Sequence, residues 1–190
     1  MEMIKEFLEK QYLGFLYRSI HFERWHLDRA NKRPYAAYLI KQINSMGLSG
    51  KVVEIGCGLG DILSGIQVKD KIGYDVDRKV IRAAKWVHPF LKTKVGSFRD
   101  IYGQEISLLI AVNFLFALED DKFQRCFKAV TARNHIDRIV VDEVPCPPYG
   151  HAHDYIGFLK TIGYQLEYKS RGFAAVGGRR YLLFFRRTVK

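Results

Sequence analysis

The sequence predicts an α/β domain: a three-layer, doubly wound sheet, mostly parallel, that ends in an antiparallel C-terminal hairpin strand and is preceded by N-terminal helices. Three observations predict it. From residue 51 to residue 164, short strand-like runs alternate with helical patterns, as they do where parallel strands are joined by crossover helices and covered on both faces. The last two strand-like runs follow each other across Gly177 and Gly178, so they pair as a hairpin and break the parallel order. The 190 residues, 48% of them apolar, fill one core and leave little room for a second.

Each element has its own signal. Residues 2–20 place Ile4, Phe7, Leu8, Tyr12, Phe15 and Leu16 mostly three or four apart, the spacing of an amphipathic helix. A second helix runs over 34–46, with Pro34 at an early helical position and "GLSG" ending it. Strands follow at 51–55, 71–76, 92–98, 106–114 and 138–144, with helices at 78–87, 120–133 and 153–164 and a helix start at "DILSGI". Two late strands, 165–176 and 180–187, complete the sheet. The expected organisation is a helical cap over 1–47 and a sheet domain over 48–190, with no internal repeat.

Composition narrows the function. No apolar run reaches about 18 residues, so no membrane span is expected. The N-terminus mixes acids and bases among its apolar residues, unlike a secretory leader. Cys57, Cys126 and Cys146 are far apart and form no CxxC pair, which speaks against a disulfide frame or a zinc site and for a cytoplasmic protein. The 31 Lys+Arg against 20 Asp+Glu give a net charge of +11, which favours an anionic partner. Much of the excess sits in 160–190, with eight basic residues to one acid.

Residues 54–61, "EIGCGLGD", join a strand to a helix start. Glycines there let the backbone approach a ligand, and the helix offers unpaired N–H groups. The dinucleotide fingerprint G-x-G-x-x-G fails, because its third glycine position holds Asp61. The P-loop pattern fails too, for want of a Lys-Ser/Thr pair. What is complete is E-x-G-x-G-x-G, formed by Glu54, Gly56, Gly58 and Gly60. Asp75 ends the next strand, 21 residues after Glu54, where an acid accepts hydrogen bonds from both ribose hydroxyls. A nucleoside that carries an amino acid satisfies both places: ribose at Asp75, and an ammonium at Glu54.

"VVEIGCGLG" and "IGYDVD" resemble the first two motifs of the class I, S-adenosylmethionine-dependent methyltransferases, over roughly residues 35–187. The resemblance implies a seven-stranded sheet with its last strand antiparallel, and S-adenosyl-L-methionine as cofactor. It implies that Glu54, Gly56, Cys57, Gly58 and Gly60 lie against the methionine part and that Asp75, beside Val76, holds the ribose. Ser97, beside Phe98, takes the position that faces the adenine amino group, where many members have aspartate. Asn113 lines the floor near the methyl donor. N-terminal segments often cap the cofactor in this family, which makes Trp25, Arg29 and Arg33 closing residues and Arg33 a partner for the donor carboxylate.

The acceptor is less constrained. "CPPY" at 146–149 is similar to the Asp/Asn-Pro-Pro-Tyr motif of amino-methyltransferases, but Cys146 replaces its polar residue and the motif follows the fifth strand instead of the fourth. "DEVPCPPYGHAHDY" gathers Asp142, Glu143, His151, His153 and Asp154 where a parallel sheet places its ligands. A hydroxyl acceptor gains from a general base, so His151 first, then His153 and Asp142, are the catalytic candidates. The bland alternative is that "HAHDY" only starts a helix, with Asp154 at its N-terminus. No spacing there is diagnostic of a metal site, and none is assigned. If the sixth strand is parallel, Arg179 and Arg180 sit near the substrate mouth and suit phosphate or carboxylate. The resulting expectation is O-methylation of a small polar or anionic acceptor such as a sugar or glycan. RNA methylation is the alternative, and a non-catalytic binding protein on the same fold is the third.

Overall fold

The computed structural model describes residues 2–22, 24–27, 29–145, 150–176 and 178–188, apart from the side chains of Glu2, Met3, Lys5, Arg24, Trp25 and Asn31. The 146–149 motif and the Trp25 side chain therefore lie outside the described residues. Helices are α1 (Glu2–Ile20), α2 (Pro34–Ser45), α3 (Asp61–Gly65), α4 (Arg78–Val87), α5 (Asp120–Arg133) and α6 (Tyr155–Thr161). Strands are β1 (Val52–Ile55), β2 (Lys71–Asp75), β3 (Lys92–Val95), β4 (Glu105–Ile106), β5 (Leu108–Ala111), β6 (His135–Ile136), β7 (Arg138–Glu143), β8 (Tyr164–Lys169), β9 (Phe173–Ala175) and β10 (Gly178–Arg187).

The main sheet runs β3-β2-β1-β5-β7-β10-β8. Pairings from β3 to β7 are parallel, and β10 is antiparallel to both β7 and β8. β8 is thus parallel to β7, which meets the condition on which the sequence places Arg179 and Arg180 near the substrate mouth. Successive residues alternate between the faces, so each strand feeds two cores. Val53, Ile55, Leu109 and Ala111 pack with Phe123 and Phe127 of α5 and Phe158 of α6. Val52, Leu108 and Ile110 pack with Ala36, Leu39 and Ile43 of α2 and Leu63 of α3. The boundary expected at residue 47 therefore separates α2 from strands that share its core.

Three runs differ from their sequence reading. The 92–98 strand stops at Val95 because Ser97 and Asp100 form a capping box around a short 3-10 turn, Phe98–Asp100. The 165–176 run splits into β8 and β9, since the buried Ser170 hydroxyl accepts the Leu182 N–H at 2.8 Å where a ladder bond would form. The stripe on α1 faces outward: Ile4, Phe7, Leu8, Tyr12 and Phe15 are exposed. Of the stripe Leu16 alone is buried, and with Leu13 it packs against Phe22, Leu59, Val80 and Ala83. Among the described residues no helix is long and apolar enough to cross a membrane.

Candidate functional site

At the carboxyl ends of the parallel strands lies a cavity of about 1190 Å³. The turn after β1 forms one side. Gly56 and Gly58 have φ of +68° and +57°, a conformation costly to any residue with a Cβ. Space is short as well. A Cβ would lie 2.6 Å from the Phe114 ring at Gly56, and 2.9 Å from His26 Nδ1 at Gly58. Asp75 fixes the turn to β2: its Oδ2 accepts the Gly58 N–H and its Oδ1 the Asp77 N–H, both at 2.9 Å. Burial pushes its carboxyl above the usual range, partly offset by these backbone donors.

Two charged groups in this cavity have buried, unused atoms. Glu54 is 2% exposed, and its Oε2 has no hydrogen-bond partner. Burial raises its pKa well above that of an ordinary glutamate, against the pull of Arg33. Arg33 donates to the Tyr35 hydroxyl at 3.4 Å and to Asp61 at 3.5 Å, while its buried Nε is unpartnered. An orphaned carboxylate oxygen and an orphaned guanidinium N–H are the complement of an amino-acid zwitterion, ammonium to one and carboxylate to the other. The residues present therefore fit a nucleoside joined to an amino acid.

An N-terminal arm closes over the glycine turn. Asp61, the first residue of α3, ties it down: it meets Arg29 Nε at 2.9 Å, the Ala30 N–H at 3.2 Å and His88 Nε2 at 3.3 Å. Burial pushes the Asp61 carboxyl up, but the His88 hydrogen bond with Arg29 and Arg33 outweighs it and holds the group below the usual range. His26 lines the cavity from the same arm, and burial drives its imidazole down to about 4.

Beside the glycine turn and the arm lies a polar floor. Asn113 follows β5 with φ of +70°, a left-handed conformation that asparagine tolerates best among residues with a Cβ. Its N–H donates to Asp142 Oδ1 at 2.7 Å, and its Oδ1 accepts from Arg180 at 2.7 Å. Arg180 Nε also lies 3.3 Å from Asp142 Oδ2, as an ion pair without hydrogen-bond geometry. The guanidinium stacks 4.3 Å from the Tyr35 ring centre. Burial raises the Asp142 carboxyl, partly offset by Arg180 and the Asn113 N–H.

No protein-family model matches the chain, nor does any curated protein sequence. Solved structures do. The N-methyltransferase NodS from Bradyrhizobium japonicum WM9, in complex with S-adenosyl-L-homocysteine, superposes with a TM-score of 0.71 at 17% identity, over 92% of this chain and 97% of that one. Magnesium protoporphyrin IX methyltransferase from Synechocystis PCC 6803, with bound SAM, gives 0.67 at 13% identity, over 95% and 97%. The small RNA methyltransferase HEN1 gives 0.62 at 18% identity, over 82% of this chain and 25% of that one. The chain has the class I methyltransferase fold. The strand order and the antiparallel β10 agree with it.

In this methyltransferase fold the sequence-predicted residues fall into two sets. Glu54, Gly56, Cys57, Gly58, Asp75, Val76, Ser97, Phe98, Asn113 and Arg33 all line the cavity. Gly60 stands behind them, against Leu91. The Ser97 hydroxyl is engaged in its capping box with Asp100, at 3.2 Å. The catalytic candidates are more scattered. Asp142 is buried beneath the floor, held by Asn113 and Arg180. His153 is buried on Phe123, with Nδ1 3.0 Å from Asp120 and Nε2 3.0 Å from the Leu115 carbonyl, so both ring nitrogens face acceptors. His151 is exposed, its N–H bound to the Phe116 carbonyl at 2.7 Å, and it is outside the cavity lining. Asp154 caps α6, accepting the Gly157 N–H. Arg180 reaches the floor, whereas Arg179 is exposed. Sequence reasoning missed Tyr35, His26 and Asp61. Asp61 carried a signal, an acid at the first turn of a helix; Tyr35 and His26 carried none.

Proposed function

We propose that this chain is an S-adenosylmethionine-dependent methyltransferase that methylates an oxygen of a small polar, anionic acceptor, a sugar or glycan first. The cofactor assignment is supported by the unpartnered Glu54 and Arg33 atoms, and by neighbours of the same fold that hold SAM or its product. S-Adenosylmethionine would supply the activated methyl group. Glu54 and Arg33 would hold its amino-acid end, the Gly56–Gly58 turn its centre and Asp75 its ribose.

The observation that carries the acceptor class is the hydrogen-bond sense of the floor. Asn113 Oδ1 accepts from Arg180, which leaves the Nδ2 hydrogens of its carboxamide as donors for a ligand. The Tyr35 hydroxyl accepts from Arg33 and keeps its own proton to donate. Two donors backed by a buried guanidinium suit a substrate rich in oxygen acceptors. The floor residues would align the acceptor oxygen, which is where most of the acceleration arises. Asp142 acts through Asn113 and Arg180, as a positioning residue. His151, whose ring is accessible, is the candidate for removing a hydroxyl proton; His153 holds a structural place. The free Cys57 and Cys126 thiols suit a reducing compartment such as the cytoplasm.

RNA is the second reading, favoured by the cations Arg99, Lys122, Arg125 and Arg133 that also border the cavity. Donor with a labelled methyl group, added with the protein to a fractionated cell extract, tests both. Label in the glycan or small-molecule fraction is the expected result. Label released only by ribonuclease would replace the first reading with the second.

A further inference from the structure

The cavity does not stop at Ser97 and Phe98. It continues along α5, where Lys122, Arg125, Cys126, Ala129 and Arg133 line it together with Arg99. Offsets of three, four, seven and eleven residues put these α5 positions on one face of the helix. Phe123, Phe127 and Val130 point instead into the core. This flank is open because the crossover from β3 to β5 carries the 3-10 turn Phe98–Asp100 and the two-residue β4 but no α-helix, where such connections usually carry one.

The flank is electrostatically unbalanced. Among the described residues, Arg99, Lys122 and Arg133 make no ion pair with an acid. Arg125 has Asp121 at 3.8 Å, on side chains 70% and 85% exposed, where a pair counts for little. Lys122, Arg99 and Arg125 also converge. Burial pushes the Cys126 thiol up, and these three cations each pull it back. Lys128 also borders the cavity, with its ammonium 5.8 Å from the centre of the Phe158 ring. Cations gathered without a counter-charge repel one another, and an anionic ligand relieves that.

We propose that the flank of α5 and the turn at Arg99 form a phosphate-binding groove, continuous with the donor cavity, that holds phosphate groups of the acceptor. Arginine forks and a lysine ammonium match phosphate oxygens. From Lys122 to Arg133 the helix rises about 16 Å, so the groove takes more than one phosphate. Tyr102, 71% exposed, stands in the loop that the Gly103 N–H ties to the Arg133 carbonyl, and offers a base a stacking face. The phosphates have two sources, a phosphorylated small acceptor or an RNA backbone. The inference rests on the anionic-acceptor reading but concerns binding alone.

The test is calorimetric titration of inorganic pyrophosphate, and separately of a ten-nucleotide single-stranded RNA, into the protein saturated with S-adenosylhomocysteine. The comparison is a Lys122→Ala/Arg125→Ala/Arg133→Ala variant, with Lys122→Glu alone as a second variant that removes one contact and leaves the rest of the helix intact. At least one probe binds the wild type and binds the triple variant tenfold or more weakly, while S-adenosylhomocysteine affinity stays within twofold. A strong preference for the RNA, with affinity falling steeply as salt rises, identifies the backbone source; comparable pyrophosphate binding identifies the small-molecule source. Failure of both probes to bind the wild type, or equal binding by wild type and variants, overturns the groove. Because no methyl transfer is read, the groove can fail while the donor site stands. An extract in which no fraction takes up label leaves the titration result untouched.

Discussion

Glu54, Gly56, Gly58, Asp61 and Asp75 come from one strand–turn–helix–strand unit, within 22 consecutive residues. Tyr35, Asn113, Asp142 and Arg180, which build the adjoining floor of the same cavity, come from α2, the end of β5, β7 and β10. The first part is built largely of backbone: left-handed glycines, amide donors and the carboxylates that collect them. The second is built of side chains that meet only because β5, β7 and β10 lie side by side. A backbone-built site tolerates little change of residue type and so writes a motif. A site built of side chains from separated elements needs only complementary partners, and leaves no local pattern.

The sharpest way to separate the two parts is Asp142→Ala. It leaves Arg180 buried without its acid and frees the Asn113 N–H, so stability falls by about 3–5 kcal/mol in urea unfolding. Where the protein is folded, its S-adenosylhomocysteine affinity is unchanged; a matching loss of affinity would join the two parts into one unit. Asp61→Asn comes next, at about 3 kcal/mol near neutral pH. Its folded pKa is depressed, so its stabilisation is present above the unfolded value near 3.9 and is lost as pH falls through the folded value. The melting-temperature gap between wild type and variant should therefore narrow below about pH 4.

Smaller effects probe the glycine turn alone. In the free protein the raised Glu54 pKa favours the protonated form, and a donor ammonium favours the carboxylate, so binding should release a proton. Titration of S-adenosylhomocysteine in two buffers of different ionisation enthalpy would show that release. Glu54→Gln abolishes it and weakens affinity by about 1.5–3 kcal/mol, the scale of a charge-assisted hydrogen bond. Gly56→Ala costs about 1–2 kcal/mol of backbone strain and displaces Phe114, read as lost donor affinity. The smallest stability change is expected for His151→Ala, within about 0.5 kcal/mol. Its kcat falls on the order of a hundredfold if the proton passes through it; an unchanged kcat with labelled acceptor removes it from the chemistry.

Much of the fold was legible because strand period and helix period alternate along the chain, and because Gly177 and Gly178 announce the final hairpin. What the pattern did not show depends on partners. The α1 stripe reads as a buried face, yet the apolar packing of the helix among the described residues runs through Leu13, Leu16 and their neighbours, since α4 is a helix beside it. His153 looks like a base in sequence. In the structure Phe123, Asp120 and the Leu115 carbonyl, all distant along the chain, close around its ring. Lys122, Arg125 and Arg133 carry no sequence signal beyond their place in the 120–133 helix. They became a wall because the neighbouring crossover is too short to cover them.

The clasp at Asp61 also bears on how this scaffold can be recombined. The arm bearing Arg29 and Ala30 and the turn bearing Asp61 complete each other's hydrogen bonds, and His26 sits where any side chain at residue 58 would go. A chimera that exchanges residues 22–33 without the turn strands a buried carboxylate, or a bulky ring against a new Cβ. The two segments have to be exchanged together, and a shuffled library drawn from this fold should place its breakpoints outside both.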